Sequence, residues 1–161
     1  MIQATRLIKL AEFLEGLEPG KFDFRHIRSK CGTNGCAIGW MPSIFGKDGW
    51  EFGGKGTYVA FKEKVLITDD AIKFFGINHS SYWFLFEPAR APWRDYEKYY
   101  HNNLLPGSAT ALQVAARIRK FVDYKLKNQA KQEYAEMCNF APKKKRESLR
   151  KANRWEELVT L

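Results

Sequence analysis

Cysteine, histidine and methionine are scarce in this sequence, three of each in 161 residues. An odd, small set of cysteines (Cys31, Cys36, Cys138) excludes a disulfide framework and fits a reducing compartment, where thiols stay reduced or bind metal. Long apolar runs are missing too. Near the start Arg6, Lys9 and Glu12 break up the apolar residues, leaving neither a signal-peptide core nor a membrane span. The expected location is therefore the cytoplasm, without membrane attachment. Acidic residues are outnumbered, 18 against 27 Lys and Arg, for a net charge of +9. That balance favours nucleic acid, an acidic protein or anionic lipid as partner.

Aromatic residues are what the sequence has in excess. Twelve Phe, seven Tyr and five Trp make up 15% of a chain that is 45% hydrophobic. One domain with a packed core follows, in which large flat side chains replace aliphatic layers or cover a partner surface. The positive charge is concentrated at one end. From Arg117 onward there are 13 Lys/Arg and 6 Asp/Glu, a net of +7 out of the total of +9. Within that region Pro142 precedes the run Lys143-Lys144-Lys145-Arg146, followed by Arg150, Lys151 and Arg154.

Helical periodicity opens the chain. Leu7, Leu10, Ala11, Leu14 and Leu17 recur at spacings of three and four, with Gln3 or Thr5 as the opening residue and Pro19-Gly20 as the stop. Lys21 to Lys30 reads as a loop. Thr33 and Asn34 are good N-cap residues for a short helix that places Cys36 in its first turn and ends by Gly46. Trp50 to Phe52 and Thr57 to Phe61 flank a glycine-rich tip, which predicts a β-hairpin. Thr68 begins a helix with Asp69 and Asp70 in its first turn and Gly76 as its left-handed end. Asn78 or Ser80 starts an aromatic helix that stops at Pro88. Ser108 or Thr110 starts the longest one, with Leu112, Ala115, Ile118, Phe121 or Val122, and Leu126 on its apolar stripe and Arg117, Lys120 and Lys127 on the other side. Two further helical pieces are expected around Pro142.

The segments R-L-x-K-L-A-x-F-L (Arg6 to Leu14), F-D-F (Phe22 to Phe24) and C-G-T-N-G-C-A-I-G-W (Cys31 to Trp40) resemble a family of small uncharacterised proteins from phage and bacterial genomes. The stretch from Ala71 to Pro88 and T-A-L-Q-V-A-A-R-I-R-K-F-V (Thr110 to Val122) are similar to its downstream helices, so the resemblance covers about the first three quarters of the chain. It implies a shared fold and a mobile-element setting. It implies no reaction, and the tail after Lys125 lies outside it.

Few residues assemble into a recognisable reaction centre. His26, Cys31 and Cys36 offer zinc-type ligands, with Cys138 or His101 to complete a site, but structural zinc pairs stand about two to four residues apart and C-x4-C does not. Buried structural thiols are the favoured reading. Cys36 at a helix start is a nucleophile candidate with His79 as its base and Asn78 or Asp69 as orienter. Gly53-Gly54-Lys55-Gly56 lacks the spacing of a phosphate loop, and no cofactor motif is present. The two helices from Thr68 to Phe86 have the outline of a helix-turn-helix. The second carries Tyr82, Trp83, Phe84, Leu85 and Phe86, which supply almost nothing to read a base edge, so a buried hairpin is expected.

Binding is the stronger expectation. Trp93, Arg94, Tyr96, Tyr99 and Tyr100, beside His101, Asn102 and Asn103, combine apolar area with polar handles suited to stacking bases or anchoring a protein interface. Lys143, Lys144, Lys145, Arg146, Arg150, Lys151 and Arg154 suit phosphates or an acidic protein. The expected fold class is α+β, predominantly helical: a core over residues 1–128 with a hairpin near 50–61, and a basic helical extension over 129–161. The expected function is a phage or mobile-element accessory protein that binds a host protein or nucleoprotein complex, such as an inhibitor of a nucleic-acid-guided defence system. DNA or RNA binding and cysteine-dependent catalysis are the alternatives.

Overall fold

A computed structural model of the chain describes residues 2–24, 26–27, 33–53, 58–62, 67–86 and 109–140, with side chains of the last helix described as far as Gln132. The fold is α+β and predominantly helical. The elements are α1 (Ala4–Glu15), α2 (Met41–Phe45), β1 (Trp50–Gly53), β2 (Tyr58–Phe61), α3 (Ile67–Phe75), α4 (His79–Phe86) and α5 (Ala111–Phe140), with 3-10 turns at Ile38–Trp40 and Gly46–Asp48. The chain divides into two compact units, Met1–Arg119 and Lys120–Leu161.

In α1 the three-and-four spacing does what it predicts: Leu7, Leu10, Ala11 and Leu14 are fully buried. Gln3 is its N-cap, and the helix ends at Gly16, ahead of Pro19. The cysteine motif differs from its sequence reading. Gly35 forms an isolated bridge with Phe22, and the Cys36 amide donates to the His26 carbonyl at 2.8 Å. These bonds hold 35–36 extended against the preceding loop, so helix begins only after Ala37. Cys36 therefore precedes the helical turn instead of sitting in it, and Thr33 and Asn34 do not cap it.

The hairpin is as predicted. β1 and β2 pair antiparallel with Trp50 opposite Phe61 and Phe52 opposite Val59. Gly49, at φ 96°, turns the chain into β1; a Cβ there would lie 3.2 Å from the Lys62 side chain. Trp50 is fully buried and joins a cluster that knits hairpin and helices together. Ring centroids are 4.9 Å apart for Trp50–Phe61, 5.6 Å for Trp50–Phe74, 5.0 Å for Phe45–Phe74 and 5.3 Å for Phe74–Phe75. Phe75 continues the cluster to Phe86, and Phe86 to Tyr82. Most of these pairs meet edge to face, the arrangement that sets the positive edge of one ring on the negative face of the next; each contributes about 0.5–1.5 kcal/mol beyond burial. Seven aromatic residues, Phe45, Trp50, Phe61, Phe74, Phe75, Tyr82 and Phe86, are joined in this way.

Every carbonyl in the last turn of α3 has a partner. Ile77 and Gly76 amides return to Ile72 and Lys73, the Gly76 φ of 61° closing the turn, while the Gln3 amide bonds Phe75 at 2.8 Å. Arg6 Nη1 donates to the Phe74 carbonyl at 2.8 Å. Asn78 Oδ1 accepts from the Ser81 amide, the expected N-cap of α4. Thr110 and Gln113 form a reciprocal capping box at the start of α5, at 3.2 and 2.9 Å.

The stripe on α5 is shifted from the predicted one. Val114, Ala115, Ile118, Phe121 and Val122 are buried, whereas Leu112 is 62% and Leu126 42% exposed. Arg117, expected on the outer side, is only 2% exposed. It stands three residues after Val114 and four before Phe121, which places it inside the stripe. α5 also runs unbroken to Phe140, where separate helical pieces are the sequence expectation.

Candidate functional site

The residues with sequence-level chemistry fall into three groups. The predicted binding residues Trp93, Arg94, Tyr96, Tyr99 and Tyr100, and Lys143, Lys144, Lys145, Arg146, Arg150, Lys151 and Arg154, lie outside the described residues, as do Cys31 and His101. The Cys138 side chain does too. The second group surrounds Cys36 and the third is a set of cations on the aromatic cluster.

Cys36 is 6% exposed and its backbone is bonded to that of His26. The pairing of His26 with Asp23 is not apparent in the sequence: Nδ1 lies 2.9 Å from Asp23 Oδ2, and the His26 amide also reaches the Asp23 carbonyl at 3.4 Å. A carboxylate on Nδ1 fixes the ring orientation and leaves Nε2 for a second partner. Asp23 also lines an open pocket of about 550 Å³, walled by Leu17, Phe22, Phe24, Asn34 and the first turn of α5. The signal for this pair was its spacing of three residues in a loop, which carries meaning only once the Phe22–Gly35 bridge folds the loop back.

His79, the base considered for Cys36, is paired instead with Asp69, Nε2 to Oδ1 at 3.7 Å, and its ring lies 5.9 Å from that of Trp83. Both side chains are exposed. Asn78, the other orienter, is used as the cap of α4. Among the described residues no group of three or more His, Cys, Asp and Glu lies together as a metal site. Among them, too, no helix is long and apolar enough to cross a membrane.

Cations surround the aromatic cluster. The Arg6 guanidinium lies 4.1 Å from the Phe74 centroid, Lys9 Nζ 5.4 Å from that of Phe45 and Lys62 Nζ 5.4 Å from that of Phe61. Since Phe45, Phe74 and Phe61 touch in series, these three cations belong to one cluster. None of them is in an ion pair with a described carboxylate, unlike Lys127, which meets Asp123 at 2.9 Å. The sequence places Arg6 and Lys9 one turn apart on α1, but not beside Lys62. Only the tertiary contacts of Phe74 do that.

Arg117 is the buried counterpart. Its Nη1 donates to the Phe84 carbonyl at 3.3 Å, in the last turn of α4, and its guanidinium lies 5.9 Å from the Phe24 ring. A cation at a helix C-terminus meets the negative end of the backbone dipole, which lowers the cost of its burial.

No protein-family model matches the chain, and no curated protein or solved structure is significantly similar to it.

Proposed function

We propose that this chain is a phage or mobile-element accessory protein that binds a host protein or nucleoprotein complex through its basic C-terminal segment. One concrete form is inhibition of a nucleic-acid-guided defence complex, of the anti-CRISPR kind. The observation that carries the reading is the placement of charge: a net of +7 from Arg117 onward out of +9 in total. A cluster such as Lys143 to Arg146 is suited to occupy a surface built for phosphates or to meet an acidic protein. The mobile-element setting rests on the resemblance of the Arg6 to Leu14 and Cys31 to Trp40 segments. The cytoplasm of the host cell is the corresponding location.

Cysteine-dependent catalysis has weaker support, because a thiol that is 6% exposed is poorly placed to attack a substrate. The test is capture of partners from host lysate by the full chain and by the variant carrying Lys144→Glu and Arg146→Glu, with and without nuclease. A partner retained after nuclease and lost with charge reversal, most strongly at low salt, supports the proposal. Recovery only in untreated lysate points to nucleic acid, and capture unaffected by the substitutions removes the tail from the interface.

A further inference from the structure

We propose that the face of the first unit carrying Arg6, Lys9 and Lys62 binds single-stranded nucleic acid, its cations meeting phosphates and the half-buried rings of Phe13 and Trp40 receiving bases. All of its residues belong to the first unit. Its three cations are held on rings rather than on carboxylates: Arg6 on Phe74 at 4.1 Å, Lys9 on Phe45 at 5.4 Å and Lys62 on Phe61 at 5.4 Å. A cation on a ring keeps its full charge, whereas one in an ion pair is largely neutralised. The charge on this face therefore stays available to an external anion.

The backbone at Lys62 is the second observation. Its φ of 48° makes it the one non-glycine residue in the left-handed region among the described residues. Glycine adopts that conformation freely and a residue with a Cβ does not, so a lysine here costs stability that glycine would not. The lysine's side chain is what the chain gains. It runs across Gly49 and reaches over Phe61, which sets its ammonium on the ring next to the one that carries Arg6.

The rings favour a single strand over the other polyanions. Phe13 stands one helical turn after Lys9 on α1, with its centroid 5.8 Å from that of Trp40, and both are half-buried. Phe61, also half-buried, supports Lys62. Unpaired bases stack on such rings while phosphates track the cations, a combination that tolerates any sequence. A duplex hides its base faces, and an acidic peptide has no base to place on them.

The experiment is fluorescence anisotropy of a labelled oligothymidylate with the full chain. Lys9→Glu with Lys62→Glu should weaken binding at low salt by about tenfold or more and flatten the salt dependence, each lost phosphate contact removing about 0.7 from the logarithmic slope. Phe13→Leu should weaken binding at low and high salt alike, because stacking is not screened. Lys62→Gly serves as the fold control: relief of the left-handed strain should leave the melting temperature unchanged or raised while binding still falls. The proposal is overturned if the folded double variant binds as the parent does, or if the parent does not bind the oligonucleotide. It is equally overturned if duplex binds as tightly as single strand, or if only Lys144→Glu with Arg146→Glu abolishes binding. That last outcome leaves the tail proposal standing, whereas loss confined to the Lys9 and Lys62 variant supports the present one.

Discussion

Glu15 and Arg119, 104 positions apart in sequence, meet in a two-pronged ion pair, Nε to Oε1 at 2.7 Å and Nη2 to Oε2 at 2.8 Å. The planar guanidinium matches both carboxylate oxygens at once, which ties the end of α1 to the part of α5 that belongs to the first unit. Hydrogen bonding from Arg119, aided by its charge, holds the Glu15 carboxyl below the usual glutamate range. Both side chains are exposed, so solvent screens much of the attraction.

The sign of the pH effect follows. A carboxyl whose folded-state affinity for protons is depressed adds stability above its unfolded titration range, and that contribution is lost as pH falls through the folded one. Glu15→Gln should therefore lower the melting temperature slightly at neutral pH, and the gap should close on acidification through and below the ordinary glutamate range. A gap that is constant from neutral to acid pH, or one that salt does not reduce, would show that the pair does not act through charge.

Two glycines should respond oppositely to alanine. Gly76 closes α3 at φ 61°, where a Cβ is strained, so Gly76→Ala should cost roughly 1 kcal/mol. Gly46 sits at φ −56° with nothing within 4 Å of an added Cβ, and Gly46→Ala should gain about 0.5 kcal/mol by restricting the unfolded chain. Urea denaturation of the two variants measures both; equal effects would mean that backbone conformation does not decide them.

Arg117 should be sensitive to truncation. Arg117→Ala removes the donor to the Phe84 carbonyl and the stem that fills the core, a loss of about 2–4 kcal/mol. Arg117→Met keeps the stem and should recover part of it. Thermal melts that rank methionine no better than alanine would place the whole contribution in the guanidinium.

Cys36 should behave as a core residue. A thiol reagent should modify it slowly in the native protein and fast once denaturant is added, and Cys36→Ala should cost about 1–2 kcal/mol without changing partner binding. Rapid native labelling of this cysteine, mapped by mass spectrometry, would contradict that placement.

Helices and hairpin were legible because each has a local cause. The α1 spacing, Asn78 as a cap, Gly76 as a stop and the paired runs about the glycine tip all act within a few residues. The cysteine segment is not legible locally, because Thr33 and Asn34 are equally good at capping a helix and at bordering a bridge, and the partner that decides it, Phe22, lies outside the local window. Arg117 differs from its sequence expectation for a related reason: its residue type argues for solvent while its position lies in the apolar stripe, and position decides because α4 offers a carbonyl. The cationic cluster and the Asp23–His26 pair depend on tertiary approach. No spacing encodes the meeting of Lys62 with Arg6 through Phe61 and Phe74.

The sealed end of α3 bears on how the first unit opens. Its last-turn carbonyls are bonded by the residues that follow the helix and, at Phe75 and Phe74, by Gln3 and Arg6 from the start of α1. Fraying at that end thus requires α1 to detach, and detachment of α1 leaves the Phe74 and Phe75 carbonyls without their partners, so the two helices open together. In native-state hydrogen exchange the amides of α1 and the C-terminal half of α3 should accordingly share one opening free energy and one denaturant dependence, exchanging as a single cooperative block.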